Sequence, residues 1–266
     1  MYPFAYHRPV TLADAMAAHS AAGEPRYLAG GQTLLPPLKM RLARASDLID
    51  LARIPGLRGI AAEGDVLRIG AMTRHAEVAA AEEVRARCPA LARLAEGIGD
   101  PHIRNMGTLG GSLANNDPAA DYAAAVLALG AQVRTDRRDI DADSFFTGMF
   151  ETALEPDEII VSVSFPIPRR AAYASFRNPA SRYAVVGVFV ADLETGPRVA
   201  VTGAGACVFR HAAMEAALGR EFSPDSAAAV TTSPDGLNAD LHATAAYRAH
   251  LVGVMAQRAV RAAGHG

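Results

Sequence analysis

The sequence predicts an α+β fold in three consecutive units, and three observations carry that expectation. Residues 1–54 read as strand, helix and strand around a glycine pair; residues 55–168 open on a hairpin signal; residues 169–266 place strands first and helices afterwards. Pro55-Gly56 and the run Pro166-Ile167-Pro168-Arg169-Arg170 have the composition of breaks between units. A chain of 266 residues is long enough for a substantial core and for two or three such units.

Taken in order, the chain starts extended as far as Pro9, and Thr11-Leu12-Ala13-Asp14 then opens a helix in the manner of a capping box, with Gly23 ending it. Strands at 26–29 and 47–51 complete a small β-α-β unit. In the second unit, segments 57–60 and 66–69 flank Glu63-Gly64-Asp65 as a hairpin. Thr73 is expected to cap a short helix to Ala81, and Pro89 to open another in which Leu91, Leu94, Ala95 and Ile98 recur at helical spacing. From Gly99 the chain reads as a loop; Asp117 as N-cap and Pro118 at the first helical position would open the next helix, and its apolar run reaches Leu129. Strands follow at 131–135 and 159–165, with Phe145, Phe146 and Phe150 between them as core aromatics. The third unit has strands at 173–176, 183–193 and 198–202, then helices around 212–218, 226–231 and 244–262. There is no internal repeat and no long disordered segment.

Two glycine pairs stand out. Ala29-Gly30-Gly31-Gln32-Thr33 directly follows the strand at 26–29, and Met106-Gly107-Thr108-Leu109-Gly110-Gly111-Ser112 lies in the central loop. Glycines there remove side chains that would keep backbone N–H groups from an anion, and Thr108, Ser112, Asn115 and Asn116 add neutral donors. With no lysine nearby, such a site suits a diphosphate held by hydrogen bonds rather than a transferable γ-phosphate. An ordinary glycine-rich turn before a helix is the plain alternative for either pair taken alone. Neither is a Walker loop, because neither ends in Gly-Lys-Ser or Gly-Lys-Thr, and Gly30-Gly31 does not extend to Gly-x-Gly-x-x-Gly; Gly203-Ala204-Gly205 lacks the third glycine too.

Together, Ala-Gly-Gly-Gln-Thr-Leu-Leu-Pro, Met-Gly-Thr-Leu-Gly-Gly-Ser and the downstream Asp-Pro-Ala-Ala-Asp-Tyr resemble the two double-glycine motifs of the FAD-binding subunits of molybdenum hydroxylases, those of the carbon monoxide dehydrogenase medium subunit type above all. The likeness continues in Ile69-Gly70-Ala71-Met72-Thr73, Phe145-Phe146-Thr147-Gly148 and Arg182-Tyr183-Ala184 and covers nearly the whole chain. It implies a two-lobed FAD-binding domain of the vanillyl-alcohol oxidase/PCMH type, with lobes 1–54 and 55–168, followed by an α+β C-terminal domain at 169–266. It also implies non-covalent FAD, its pyrophosphate held by Ala29, Gly30, Gly31, Gln32, Thr33 and by Thr108, Leu109, Gly110, Gly111, Ser112, with backbone N–H groups as the main donors. Asp121 would accept from ribityl hydroxyls, although a carboxylate in the first turn of a helix also offsets the helix dipole. Tyr183 would cover one face of the isoalloxazine; without the resemblance, a tyrosine before Ala-Val-Val-Gly-Val reads as core. Ser112 stands where the family often has asparagine and Thr33 where it often has serine, and both keep a polar donor. The [4Fe-4S] insertion of one branch of the family is absent.

The remaining chemistry is narrowed by exclusion. A formal charge of −2 gives no electrostatic reason to expect nucleic acid or an acidic membrane, and Lys39 is the only lysine among 26 basic residues, a bias of base composition. Cys88 and Cys207 are isolated, so they cannot seed an iron–sulfur or zinc site. The N-terminal Met-Tyr-Pro-Phe-Ala-Tyr-His-Arg-Pro lacks a secretory pattern and the longest apolar stretch, 184–191, is too short to span a membrane, which leads us to expect a cytoplasmic protein. His102 is read as a solvated or hydrogen-bonding loop residue, and His7, His75, His211, His242, His250 and His265 show no metal-ligand spacing. No Ser-His-Asp or paired-carboxylate site is evident. The function that the resemblance implies is an FAD-binding electron-transfer subunit working with a large molybdenum-cofactor subunit and a small [2Fe-2S] subunit, in a dimer of heterotrimers. A free-standing flavin oxidoreductase of the same fold and a non-catalytic FAD-binding assembly protein are the alternatives.

Overall fold

A computed structural model describes residues 1–264, and among them the strands form four sheets. In the first, β1 (Ala5–His7), β2 (Pro25–Leu28) and β3 (Asp47–Asp50) run parallel in the order β1-β3-β2. The crossover from β1 to β2 is α1 (Leu12–Ala21), whose cap Thr11 accepts from the Asp14 amide at 3.1 Å. Ala15 of α1 and Ile49 of β3 are fully buried in one small core. A short helix absent from the sequence reading, α2 (Leu35–Lys39), follows the first glycine pair.

The hairpin of β4 (Ile60–Glu63) and β5 (Val66–Gly70) turns at Gly64, and its first strand begins at Ile60 rather than Leu57. Three helices follow, α3 (His75–Ala80), α4 (Glu82–Arg87) and α5 (Pro89–Glu96). Thr73 does not cap α3. It is buried, its hydroxyl exchanging hydrogen bonds with the Gly59 backbone, while the free amide of the cap residue Arg74 is taken by the Glu77 carboxylate at 2.9 Å.

The segment expected as one long loop is mostly helical: α6 (Pro101–Arg104), capped by Asp100, and α7 (Leu109–Asn115), capped by Thr108. Asp117 is not an N-cap either; its carboxylate closes a tight turn onto the Ala119 amide, and α8 (Asp121–Ala128) starts after Ala120. Beyond α8 come β6 (Gln132–Thr135), β7 (Asp139–Asp141), α9 (Ala142–Phe145), the small hairpin of β8 (Phe146–Gly148) and β9 (Glu151–Thr152), and β10 (Ile160–Pro166). The second sheet is antiparallel in the order β4-β5-β10-β6-β7. Phe145 is fully buried, Phe146 packs at the core's edge, and Phe150 is 56% exposed at a positive φ, so it is not a core residue.

The third sheet, β11 (Arg170–Arg177), β12 (Ala184–Leu193), β13 (Gly196–Thr202) and β14 (Phe209–Arg210), is an antiparallel meander. The unbroken apolar run of β12 arises because both faces are covered. Phe189, Ala191 and Leu193 join the core of α5, α8 and the second sheet, while Val186, Val188 and Val190 join that of the C-terminal helices. Those helices are α10 (Ala212–Arg220), α11 (Pro224–Ala228) and α12 (Ala245–Ala263), α11 ending earlier than its sequence suggests. The third sheet thus sits between two helical layers. Thr202, fully buried, donates to the carbonyls of Pro118 (2.9 Å) and Ala120 (2.8 Å) and fastens β13 to the entrance of α8.

Candidate functional site

The two glycine segments are brought into contact. A Cβ at Gly30 would run into the Met106 carbonyl and come within 2.8 Å of Gly107 Cα, so only glycine lets the segments meet. Gly31 has φ +73°, the left-handed conformation that turns the chain from β2 into α2. Beside this junction lies a cleft of about 560 Å³, within the usual range for small-molecule sites. Its walls come from three places in the chain: residues 26–37, residues 98–121 with His75, and the turn Ser181-Arg182-Tyr183.

Within the first segment, Ala29, Gly30, Gly31, Gln32 and Thr33 all line the cleft. No group among the described residues accepts from the N–H of Gly30, Gly31, Gln32, Thr33 or Leu34, nor from the Gln32 amide or Thr33 hydroxyl. Five consecutive unspent backbone donors along one wall favour an anion that can take several hydrogen bonds at once.

The second segment does something else than the sequence suggests. The amides of Leu109 and Gly110 donate to the carbonyls of Thr73 (3.0 Å) and Ala71 (2.8 Å), Gly111 to the Thr108 hydroxyl (3.2 Å), and Ser112 to the Thr108 carbonyl (3.0 Å). These N–H groups are already used in starting α7, so they are not the main anion donors; only the Thr108 amide is without a protein acceptor among the described residues. Leu109 is fully buried and, with Gly110, lies outside the cleft lining. Gly110 is small because α7 presses on Ala71, whose Cβ lies 2.6 Å from where a Cβ of residue 110 would be. Gly111, Ser112 and Asn115 do line the cleft.

Asp121, 7% exposed at the first turn of α8, borders the same cleft. Its Oδ1 accepts from the Tyr173 hydroxyl at 2.5 Å and from Arg177 at 3.3 Å, and Oδ2 has no donor among the described residues. Burial raises the Asp121 pKa, against which Arg177 and then Tyr173 favour the ionised form. Tyr183, immediately before β12, is half exposed over the cleft rather than in the core. Its phenol is raised by burial and by the negative charges of Asp117 and Asp121.

His75 is the cleft residue that the sequence reading passed over. It is 5% exposed, its pKa pushed down to about 4 by burial and then by Arg104, and its Nδ1 is buried without a partner. Its Nε2 lies 2.6 Å from where a Cβ of residue 107 would be, which is why Gly107 is glycine. Sequence offered only one signal, a histidine opening a helix beside a buried strand. His102 is exposed, its side chain unpaired and outside the cleft. His7 pairs with Asp47, His211 caps α10, and His265 lies outside the described residues.

A dinucleotide cofactor with a diphosphate and a polyol fits this arrangement, since residues 30–34, whose N–H groups have no acceptor among the described residues, line one side of the cleft and Asp121, with one carboxylate oxygen likewise unpaired, lines another. The comparisons with known proteins agree. Residues 2–168 match the family described as the FAD binding domain in molybdopterin dehydrogenase. The chain is 34% identical to the carbon monoxide dehydrogenase medium chain of Hydrogenophaga pseudoflava, over 98% of this chain and 96% of that one. It is 37% identical to the nicotine 6-hydroxylase medium subunit of Paenarthrobacter nicotinovorans, over 97% and 96%. The structure superposes on carbon monoxide dehydrogenase from Hydrogenophaga pseudoflava with a TM-score of 0.89 at 35% identity, covering 100% of this chain and 99% of the other. It superposes on quinoline 2-oxidoreductase from Pseudomonas putida 86 with a TM-score of 0.90 at 27% identity, covering 99% and 98%. The α+β fold is thus that of a flavoprotein subunit. The chain belongs to the FAD-binding family of the molybdopterin dehydrogenases, and it is an oxidoreductase subunit whose cofactor is FAD.

Proposed function

We propose that this chain carries electrons, on a non-covalently bound FAD, from the iron–sulfur clusters of a partner to an external acceptor within a molybdenum-containing hydroxylase. The observation that carries the reading is the junction of Gly30 with Met106 and Gly107, which aligns the free N–H groups of residues 30–34 along the cleft. When bound, FAD supplies the redox chemistry and the protein positions it. The N–H groups of 30–34, the Thr108 amide and the hydroxyls of Thr33 and Ser112 hold the diphosphate, and Ala29 and Gly111 keep the approach open. Asp121 Oδ2 accepts from a ribityl hydroxyl, and Tyr183 covers one face of the ring. In this reading residues 1–54 and 55–168 are the two lobes of the FAD-binding domain and 169–266 the C-terminal domain.

The relatives named above are medium chains, which supports a larger and a smaller partner; in this reading these are a large molybdenum-cofactor subunit and a small [2Fe-2S] subunit, in a dimer of such heterotrimers. No helix among the described residues is long and apolar enough to cross a membrane, and we place the complex in the cytoplasm. Two isolated cysteines cannot ligate a [2Fe-2S] cluster, which takes four protein ligands, so in this reading the iron–sulfur clusters lie on another chain. The test is anaerobic bleaching of the flavin. Substrate of the holoenzyme is expected to bleach it only when the chain is assembled with both partners, and bleaching of the isolated chain by a small organic substrate would make it a free-standing flavoenzyme.

A further inference from the structure

Arg177, at the end of β11, gathers groups that are far apart in sequence. Its guanidinium donates to Asp121 Oδ1 at 3.3 Å, to the carbonyl of Gly97, and to the carbonyl of Arg182 at 3.3 Å, while its Nε reaches the Ser175 hydroxyl at 3.2 Å. The guanidinium sits close against Gly97, where a Cβ would lie 2.7 Å from it. The Arg182 carbonyl belongs to the turn that presents Tyr183. That turn closes on itself, Asn178 donating to the Tyr183 carbonyl at 2.9 Å and Arg182 to the Asn178 carbonyl at 2.8 Å, with Arg182 at φ +64°. The Arg182 guanidinium in turn donates to the Gly99 carbonyl at 3.2 Å.

We infer that Arg177 is a positioning residue that sets the polyol-binding carboxylate of Asp121 and the ring-covering Tyr183 as one unit. The inference rests on the reading of Asp121 and Tyr183 given above. A planar guanidinium has five donors in a fixed fork, so one side chain can satisfy a carboxylate and two carbonyls at once, which a lysine ammonium on a flexible stem cannot do in the same geometry. Oδ1 is committed to Tyr173 and Arg177, which restrains the carboxylate of this cleft-lining residue and leaves Oδ2 without a donor among the described residues. The positive charge also keeps Asp121 an acceptor. The titratable groups around it are Tyr122 on its own helix, Tyr173 and Arg177 on β11, and Tyr183, and Arg177 is the only cation in that set.

The test compares Arg177→Met, Arg177→Lys, Asp121→Asn and Tyr183→Ala in the assembled complex, stripped of FAD and titrated with FAD across pH, with reoxidation of the reloaded flavin measured alongside. Arg177→Met is expected to weaken FAD by about 10-fold or more, as for loss of a charge-assisted bond. It should also move upward the pH below which affinity falls, because the charged form of Asp121 has lost its cation. Arg177→Lys is expected to return the pH profile toward that of the parent while leaving reoxidation altered, since the Arg182 carbonyl is no longer held. The lysine arm also serves if the methionine variant does not fold. Parent-like affinity, pH profile and reoxidation in both Arg177 variants, with Asp121→Asn weakened and Tyr183→Ala altered, would overturn the inference alone. Parent-like behaviour of Asp121→Asn and Tyr183→Ala would overturn the reading of the cleft and the inference with it.

Discussion

Gly30 has no room for a methyl group, because backbone atoms rather than flexible side-chain ends occupy the space. Gly30→Ala must therefore push the first segment away from Met106 and Gly107. Overpacking of this kind costs roughly 1–3 kcal/mol, and since the displaced atoms are the diphosphate donors of the proposed function we expect FAD affinity to drop about 10- to 100-fold. Ser112→Ala removes a single side-chain donor worth about 1 kcal/mol and should cost less. Equilibrium dialysis gives the order; a serine variant weaker than the alanine-for-glycine variant would move the anion site to α7. His75 supports a second expectation at this scale. Its pKa falls from 6.5 to about 4 on folding, so the unfolded chain binds the extra proton first. Its contribution is whole above pH 6.5 and is lost as pH falls toward 4, on the order of 3 kcal/mol over that window. Urea midpoints of the parent and of His75→Leu should converge in slope against pH only above 6.5, and parallel profiles throughout would show that His75 does not titrate in this way.

At the scale of elements, the Tyr183 turn stands on β11 and β12 and is fastened by Arg177, whereas the unspent N–H groups belong to residues 30–34. The proposed function therefore lodges cofactor retention and cofactor reactivity in different elements. Tyr183→Ala is expected to keep FAD within a few-fold of the parent affinity but to change its reoxidation rate; stopped-flow reoxidation unchanged for every acceptor tried would leave the ring without a covering role. Elements also show what sequence could and could not disclose. β12 was legible because Ala184 to Ala191 is apolar without a break, and α1 because Thr11 and Asp14 carry a local cap. Local signals misled at Thr73, whose hydroxyl is taken by the Gly59 backbone, and at Asp117, which accepts from the Ala119 amide as a cap would but closes a single turn before α8 instead of opening a helix. The second glycine pair was legible as a motif but not as packing. Gly110 answers Ala71, a residue that only the fold brings near, and Gly111 answers the Thr108 hydroxyl of its own cap.

For the whole molecule, the cleft is a meeting of the segment after β2, the helices α6 to α8 and the turn between β11 and β12, and its internal ties are long-range. Tyr173 and Arg177 reach Asp121 across 52 and 56 residues, and Thr202 reaches Ala120 across 82. Periodicity and spacing carry no trace of such pairs, which is why Arg177 and His75 were absent from the sequence-derived candidates while Gly30, Gly31, Asp121 and Tyr183 were present. The main core reflects the same arrangement, since Phe189 and Ala200 of the third sheet share it with Leu91, Tyr122 and Phe165.

The Tyr173 to Asp121 bond bears on synthesis. A ribosome releases both glycine segments and α8 before β11 exists, so for the length of chain between residues 121 and 173 the carboxylate that borders the cleft has neither its phenol nor its guanidinium. A nascent chain halted at 168 would present donors for a diphosphate but no cover for a flavin ring. On the proposed roles of Asp121 and Tyr183, commitment to the cofactor is a late event of translation, completed by the part of the chain that lies outside the matched FAD-binding segment.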